Sequence, residues 1–156
     1  MSQKNELCGQ NCGCVSNTAV QSLDEMDFEK GIWFAAQSGD YDRVKKLINT
    51  KKYEVDQKDS AGYTALHYAS RNGHLEICRY LIESGANIDG RTRSGQATAL
   101  HRACTAGKLD IVDFLLSHNA DLNLKDADGR TALDRATVSN RQDICKILQQ
   151  HLGDYL

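Results

Sequence analysis

The stretch TALHYASRNGH, from Thr64 to His74, holds two histidines seven residues apart and a threonine three residues before the first. An imidazole can ligate a metal, act as a base beside a hydroxyl, or satisfy polar groups inside a fold. A zinc pair on one helix needs His at i and i+4 with an acid between them. His67 and His74 are instead split by Gly73, a helix-ending residue, and no second pair of ligands lies nearby. Thiols are the next candidates. CGQNCGCVS sets Cys8, Cys12 and Cys14 close together among glycines, and clustered thiolates can bind zinc or copper. Tetrahedral zinc needs a fourth ligand and usually a C-x2-C spacing, which this histidine-free tail lacks. The expectation is therefore a flexible polar tail over residues 1–21, carrying reactive thiols and no metal or cofactor. A metal- or redox-linked role for these thiols is the alternative. Cys78, Cys104 and Cys145 fall in small or apolar helical slots, where thiols are inert. No Gly-rich phosphate loop precedes a helix and no G-x-S-x-G occurs. The chain does not read as an enzyme.

Composition narrows the remaining classes. The 156 residues carry 19 basic and 21 acidic side chains, a net charge of -2, which gives no overall reason to bind nucleic acid. No apolar run approaches the roughly 20 residues needed to span a bilayer. MSQKNELCGQ lacks the apolar stretch of a signal peptide, so a cytoplasmic or nuclear monomer with six reduced cysteines is expected. With no proline, every turn must rest on Gly, Asn, Asp or Ser.

The elements that position these residues repeat. TALHYA at Thr64 recurs as TALHRA at Thr98 and TALDRA at Thr131, spaced by 34 and 33 residues. GHLEICRYLIESGANID at Gly73 recurs as GKLDIVDFLLSHNADLN at Gly107 and, more loosely, from Asn140. A degenerate copy begins at Gly31. Self-similarity at this period predicts a stacked array. Within a unit, Thr64 caps a short helix ending near Asn72, with Leu66, Ala69 and Ser70 on one face. The small residues let a neighbouring helix approach closely. Gly73 ends that helix, and a second runs from about His74 to Glu83 with Ile77, Cys78, Leu81 and Ile82 inward. ANIDGRTRSG then makes a polar connector. One such unit cannot bury its own apolar face, so units must stack.

DSAGYTALHYASRNGHLEICRYLIESGANID, from Asp59 to Asp89, resembles the ankyrin repeat almost throughout. The resemblance implies an all-α ankyrin solenoid of about four helix-turn-helix units with hairpin-like connectors. The units fall at about 28–58, 59–91, 92–125 and 126–156, within a domain over residues 22–156. Ser22 and Glu25 form a capping-box pattern, and Leu23, Met26, Phe28 and Trp33 can cover the open end. The resemblance also implies that His67 and His101 are structural, bonding around the turn and to the adjacent unit. The pattern departs at Asp134 and Trp33, where the His is replaced. It departs again at SGQATAL, which has one residue more than its equivalents and predicts a bulge. Cys104 shares a helical face with His101, but its slot is Ser70 and Thr137 in the neighbouring units, which argues for packing.

The function the resemblance implies is non-catalytic protein binding, as an adaptor or scaffold, through hairpin tips and the concave first-helix face. Helical spacing puts Tyr68, Arg71 and Asn72 on one face, followed one unit on by Arg102, Thr105 and Ala106, then by Arg135. Tyr63, Arg91 and Arg93 join them from the hairpins. The expected partner is another protein presenting an acidic segment, with neither nucleic acid nor membrane involved. The run from Leu115 to Asp121-Leu122-Asn123 is similar to ankyrin sites modified by an asparagine hydroxylase, which marks Asn123.

Overall fold

The computed structural model describes residues 31–154, which form eight helices and no strand. The helices pair as α1 (Ile32–Ser38) with α2 (Tyr41–Asn49), α3 (Ala65–Asn72) with α4 (Leu75–Glu83), α5 (Ala99–Ala106) with α6 (Leu109–Ser117), and α7 (Ala132–Val138) with α8 (Gln142–Asp154). The first helices pack in the order α1, α3, α5, α7, and the second helices form a parallel row behind them. The N-terminal cysteines, the tail and the proposed cap of Ser22, Leu23, Glu25, Met26 and Phe28 lie outside the described residues.

Small side chains set the spacing of the inner row. Ala35, Ala69, Ala103 and Ala136 recur at one slot and are fully buried. Ser70 and Cys104 fill the next slot, also fully buried. The core proper is a ladder of Leu66 and Leu100 from the first helices with Ile77, Leu81, Ile111, Leu115, Ile144 and Leu148 from the second. Ile82 is half-buried against it.

Each first helix ends on a left-handed residue, Gly39, Gly73 or Gly107, with Asn140 taking the place in the last unit. Gly62 is the tightest glycine. Its φ is +83°, and a Cβ there would lie 2.5 Å from the backbone nitrogen of Arg93. Successive hairpins are thus in backbone contact, and only glycine fits the turn.

The extra residue of SGQATAL is absorbed in this turn. In the second unit Gly62 N–H donates to Asp59 O at 3.0 Å. In the third unit Gln96 N–H donates to Thr92 O at 3.1 Å, one residue further on. Gln96 takes the left-handed conformation at φ +50°. The turn is one residue longer, and the flanking bond pair is kept: Asp59 N–H to Tyr63 O, and Thr92 N–H to Ala97 O.

Candidate partner-binding surface

Both histidines of the opening stretch bind backbone, in opposite directions along the stack. Thr64 N–H, which can only donate, bonds His67 Nδ1 at 3.1 Å. Nδ1 must therefore be the acceptor, and the proton sits on Nε2, which donates to Gly90 O at 2.9 Å in the connector that follows and to Ala97 O at 3.2 Å in the next unit. Burial holds the His67 pKa down at about 4, so the ring is neutral. His101 repeats the arrangement on Thr98 and Arg130 O, its pKa also lowered by burial. His74 reaches the other way, its Nε2 lying 2.9 Å from Gln37 O of the preceding unit.

The two departures from histidine have separate explanations. Trp33 Nε1 donates to Gln57 O at 2.9 Å, so the indole makes the same forward reach as the imidazoles. Asp134 accepts from Thr131 N–H at 2.9 Å and so keeps the cap, but a carboxylate has no donor to send forward. Cys78 and Cys104 are fully buried. Burial raises their thiols to about 11 and about 12, which leaves both inert. Among the described residues no group of three or more His, Cys, Asp or Glu is placed to hold a metal ion, and no helix is long and apolar enough to cross a membrane.

The strip of first-helix and hairpin side chains is organised by the hairpin residue at positions 59, 92 and 126. Asp59 Oδ1 accepts from Ala61 N–H and Tyr63 N–H, which shapes the turn, while its Oδ2 accepts from Tyr68 Oη at 2.6 Å. Burial, then this bond to a carboxylate, pushes the Tyr68 phenol well above its ordinary range. Asp126 does the same two array positions later. Its Oδ1 accepts from Asp128 and Arg130 N–H, and its Oδ2 from Arg135 Nε at 2.5 Å. Burial raises the Asp126 carboxyl, but the Arg130 N–H, the Arg135 guanidinium and the Asp128 N–H outweigh it and leave it lowered. Arg135 also reaches Asp128 Oδ2 at 2.7 Å. Arg135 is thus paired with two carboxylates of its own hairpin.

The third unit breaks the scheme. Position 92 is threonine, whose Oγ1 accepts only from Ala97 N–H at 3.1 Å. Arg102, the counterpart of Tyr68 and Arg135, thus has no hairpin carboxylate. It crosses to the preceding unit, stacks with its Cζ 4.6 Å from the Tyr63 ring centre, and donates through Nη2 to Tyr63 Oη. Its Nε is buried with no hydrogen-bond partner. A buried unmet donor costs about 1–3 kcal/mol, which the cation–π contact offsets by about 0.5–2 kcal/mol.

Of the other expected residues, Arg71 is exposed, and with Arg102, Thr105 and Ala106 it lines an open depression of 280 Å³. Thr105 Oγ1 donates to His101 O, and Asn72 turns back to Tyr68 O, so both are occupied within their own helices. Arg91 is half-buried, its carbonyl accepting from Lys58 Nζ at 3.1 Å, and Arg93 is exposed at the tip. Asn123 is exposed in the connector after α6, its N–H bonded to Asp121 Oδ1. The Asp59, Thr92, Asp126 alternation went unread in the sequence, although aligning the three hairpins exposes it.

Comparison with known proteins agrees with this architecture. The profile of the family described as Ankyrin repeats (3 copies) matches residues 32–126 and 93–155. The chain belongs to the ankyrin-repeat family. Ankyrin repeats are protein-interaction modules. The chain is 55% identical over 89 residues to human Ankyrin repeat domain-containing protein 39, covering 54% of this chain and 48% of that protein. It is 70% identical over 54 residues to the protein of the same name in Bos taurus, covering 35% of this chain and 29% of that one. Palmitoyltransferase akr1 of Schizosaccharomyces pombe is 41% identical over 58 residues, but the match covers only 9% of that enzyme. The chain thus spans about half or less of the curated relatives it matches.

Proposed function

We propose that this ankyrin array is a non-catalytic adaptor or scaffold that binds an acidic segment of a partner protein on its concave face. Tyr63, Tyr68, Arg71 and Arg102 form the centre, with Arg91 and Arg93 at the hairpin tips. One observation carries the reading: Arg102 sits where the neighbouring units tie their first-helix side chain, Tyr68 or Arg135, to a hairpin Asp, yet its own hairpin offers Thr92. Both ion pairs among the described residues belong to Arg135. The positive charge of Arg71 and Arg102 is therefore left for something outside the fold. Arg supplies a planar fork matched to carboxylates, and Arg and Tyr are the residue types that dominate interface energetics.

The test is calorimetry with a partner recovered by the full chain. Arg102→Ala is expected to weaken binding by about 1–3 kcal/mol if the residue is an anchor. Glu76→Ala, on the exposed start of α4 on the convex side, is expected to leave it unchanged. Unchanged affinity in the Arg102 and Arg71 variants, with a loss at Glu76, places the interface on the convex side and overturns the reading.

A further inference from the structure

We propose that the depression between α3 and α5 is a subsite for a phosphorylated serine or threonine on the segment that the concave face binds. This rests on the reading that the face takes an acidic partner, and it names the chemistry of one contact. Position 71 is equivalent to Gln37, Thr105 and Val138, and position 102 to Phe34, Tyr68 and Arg135. Matching each residue of the first column with the next unit's residue of the second gives the sequence pairs Gln37 with Tyr68, Arg71 with Arg102, and Thr105 with Arg135. Only the middle one joins two cations, and it is the one that opens into the 280 Å³ depression.

Charge and donor count favour a phosphomonoester over a carboxylate. Neither Arg71 nor Arg102 has a carboxylate within ion-pair distance among the described residues. A carboxylate brings one negative charge, whereas a phosphomonoester brings about 1.5 to 2 at neutral pH and three acceptor oxygens. Two guanidinium forks can share those oxygens in charge-assisted bonds. Thr105 and Ala106 keep the other walls small, and the Thr105 hydroxyl proton is committed to His101 O. The buried Nε of Arg102 supplies the remaining donor. Engaging it requires the guanidinium to turn away from Tyr63 Oη, and that turn gives Nε the acceptor it lacks.

The probe is an acidic peptide of fixed background carrying Ser, Glu or phosphoserine at its centre, titrated into the full chain by calorimetry and by NMR of the arginine Nε–H groups. The phosphoserine peptide is expected to bind at least about tenfold more tightly than the Glu peptide. The Arg71 and Arg102 Nε–H signals are expected to move on saturation. Arg71→Gln, a change at an exposed position, and Arg102→Gln are each expected to bring the phosphoserine peptide to within about twofold of the Glu peptide. Tyr63→Phe keeps the stacked ring but removes the competing hydroxyl, and is expected to tighten phosphoserine binding. Equal affinity for the Glu and phosphoserine peptides, with both reduced by the arginine variants, overturns the phosphate subsite and leaves the acidic-segment reading standing. Preferential phosphoserine binding that leaves Arg71 and Arg102 unmoved overturns the location. Binding of none of the three peptides overturns both readings.

Discussion

Acidification is expected to unfasten the units at their histidines, and His67 sets the size of the effect. Its Nδ1 accepts from Thr64 N–H, which cannot reverse its role, so a proton on Nδ1 would face a donor inside a buried site. Burial accordingly depresses its pKa from the ordinary 6.5 to about 4. Because the folded value lies below the unfolded one, the unfolded state binds more protons through the window from about 6.5 to about 4, and stability falls as pH falls through it. Between pH 7 and pH 5 that linkage amounts to about 2 kcal/mol for His67 alone. His101, shifted in the same direction, adds to it. The assay is urea unfolding at the two pH values for the wild type and for His67→Gln. Glutamine at this position can keep a capping box without titrating. The variant is expected to be less stable at pH 7 but to lose about 2 kcal/mol less on acidification than the wild type. Identical pH dependence in the two proteins, or a wild type that gains stability toward pH 5, refutes the assignment of a buried neutral imidazole.

Leu100 is 1% exposed at the centre of the ladder, and Leu100→Ala is expected to cost about 2–5 kcal/mol, read as a lower urea midpoint. Gly62→Ala is expected to cost clearly more than Gly85→Ala in thermal unfolding. Both glycines are left-handed, but only at Gly62 does the added carbon meet backbone, 2.5 Å from Arg93 N, whereas at Gly85 it meets nothing within 4 Å. Thr92→Asp restores the carboxylate of the flanking hairpins. It is expected to pair with Arg102 and to reduce binding of an acidic partner in calorimetry, and undiminished binding would show that Arg102 is not the anchor.

What the sequence made legible was local or periodic. Thr64, Thr98 and Thr131 announce helix starts, Gly73 and Gly107 announce ends, and a period of 33 to 34 residues aligns them. The small residues at 69, 70, 103 and 104 foretold close helix packing because an α-helix returns to the same face every three or four positions. The surface chemistry was harder. The bond from Arg102 to Tyr63 spans 39 residues, and the pairing of Arg135 with Asp126 needs the hairpin to fold back over its helix. Neither follows from helical spacing. In the sequence Trp33 stands as a break in the histidine pattern and as cover for the open end, and its likeness to histidine stays hidden because it lies in one N–H on a ring of different size.

The forward reach of Trp33, His67 and His101 makes the stack directional at the level of single bonds. In the first three units the first helix supplies the donor and the following hairpin the acceptor. For protein engineering this sets a grafting rule. A duplicate of the block beginning at Asp59 can be spliced ahead of the second or third unit with its donors already matched to carbonyls. A fresh unit attached behind α8 would meet Asp134, whose oxygens only accept, and would place carbonyl against carboxylate. Extension at that end calls for Asp134→His in the same design, whereas insertion in the middle calls for no change at this position.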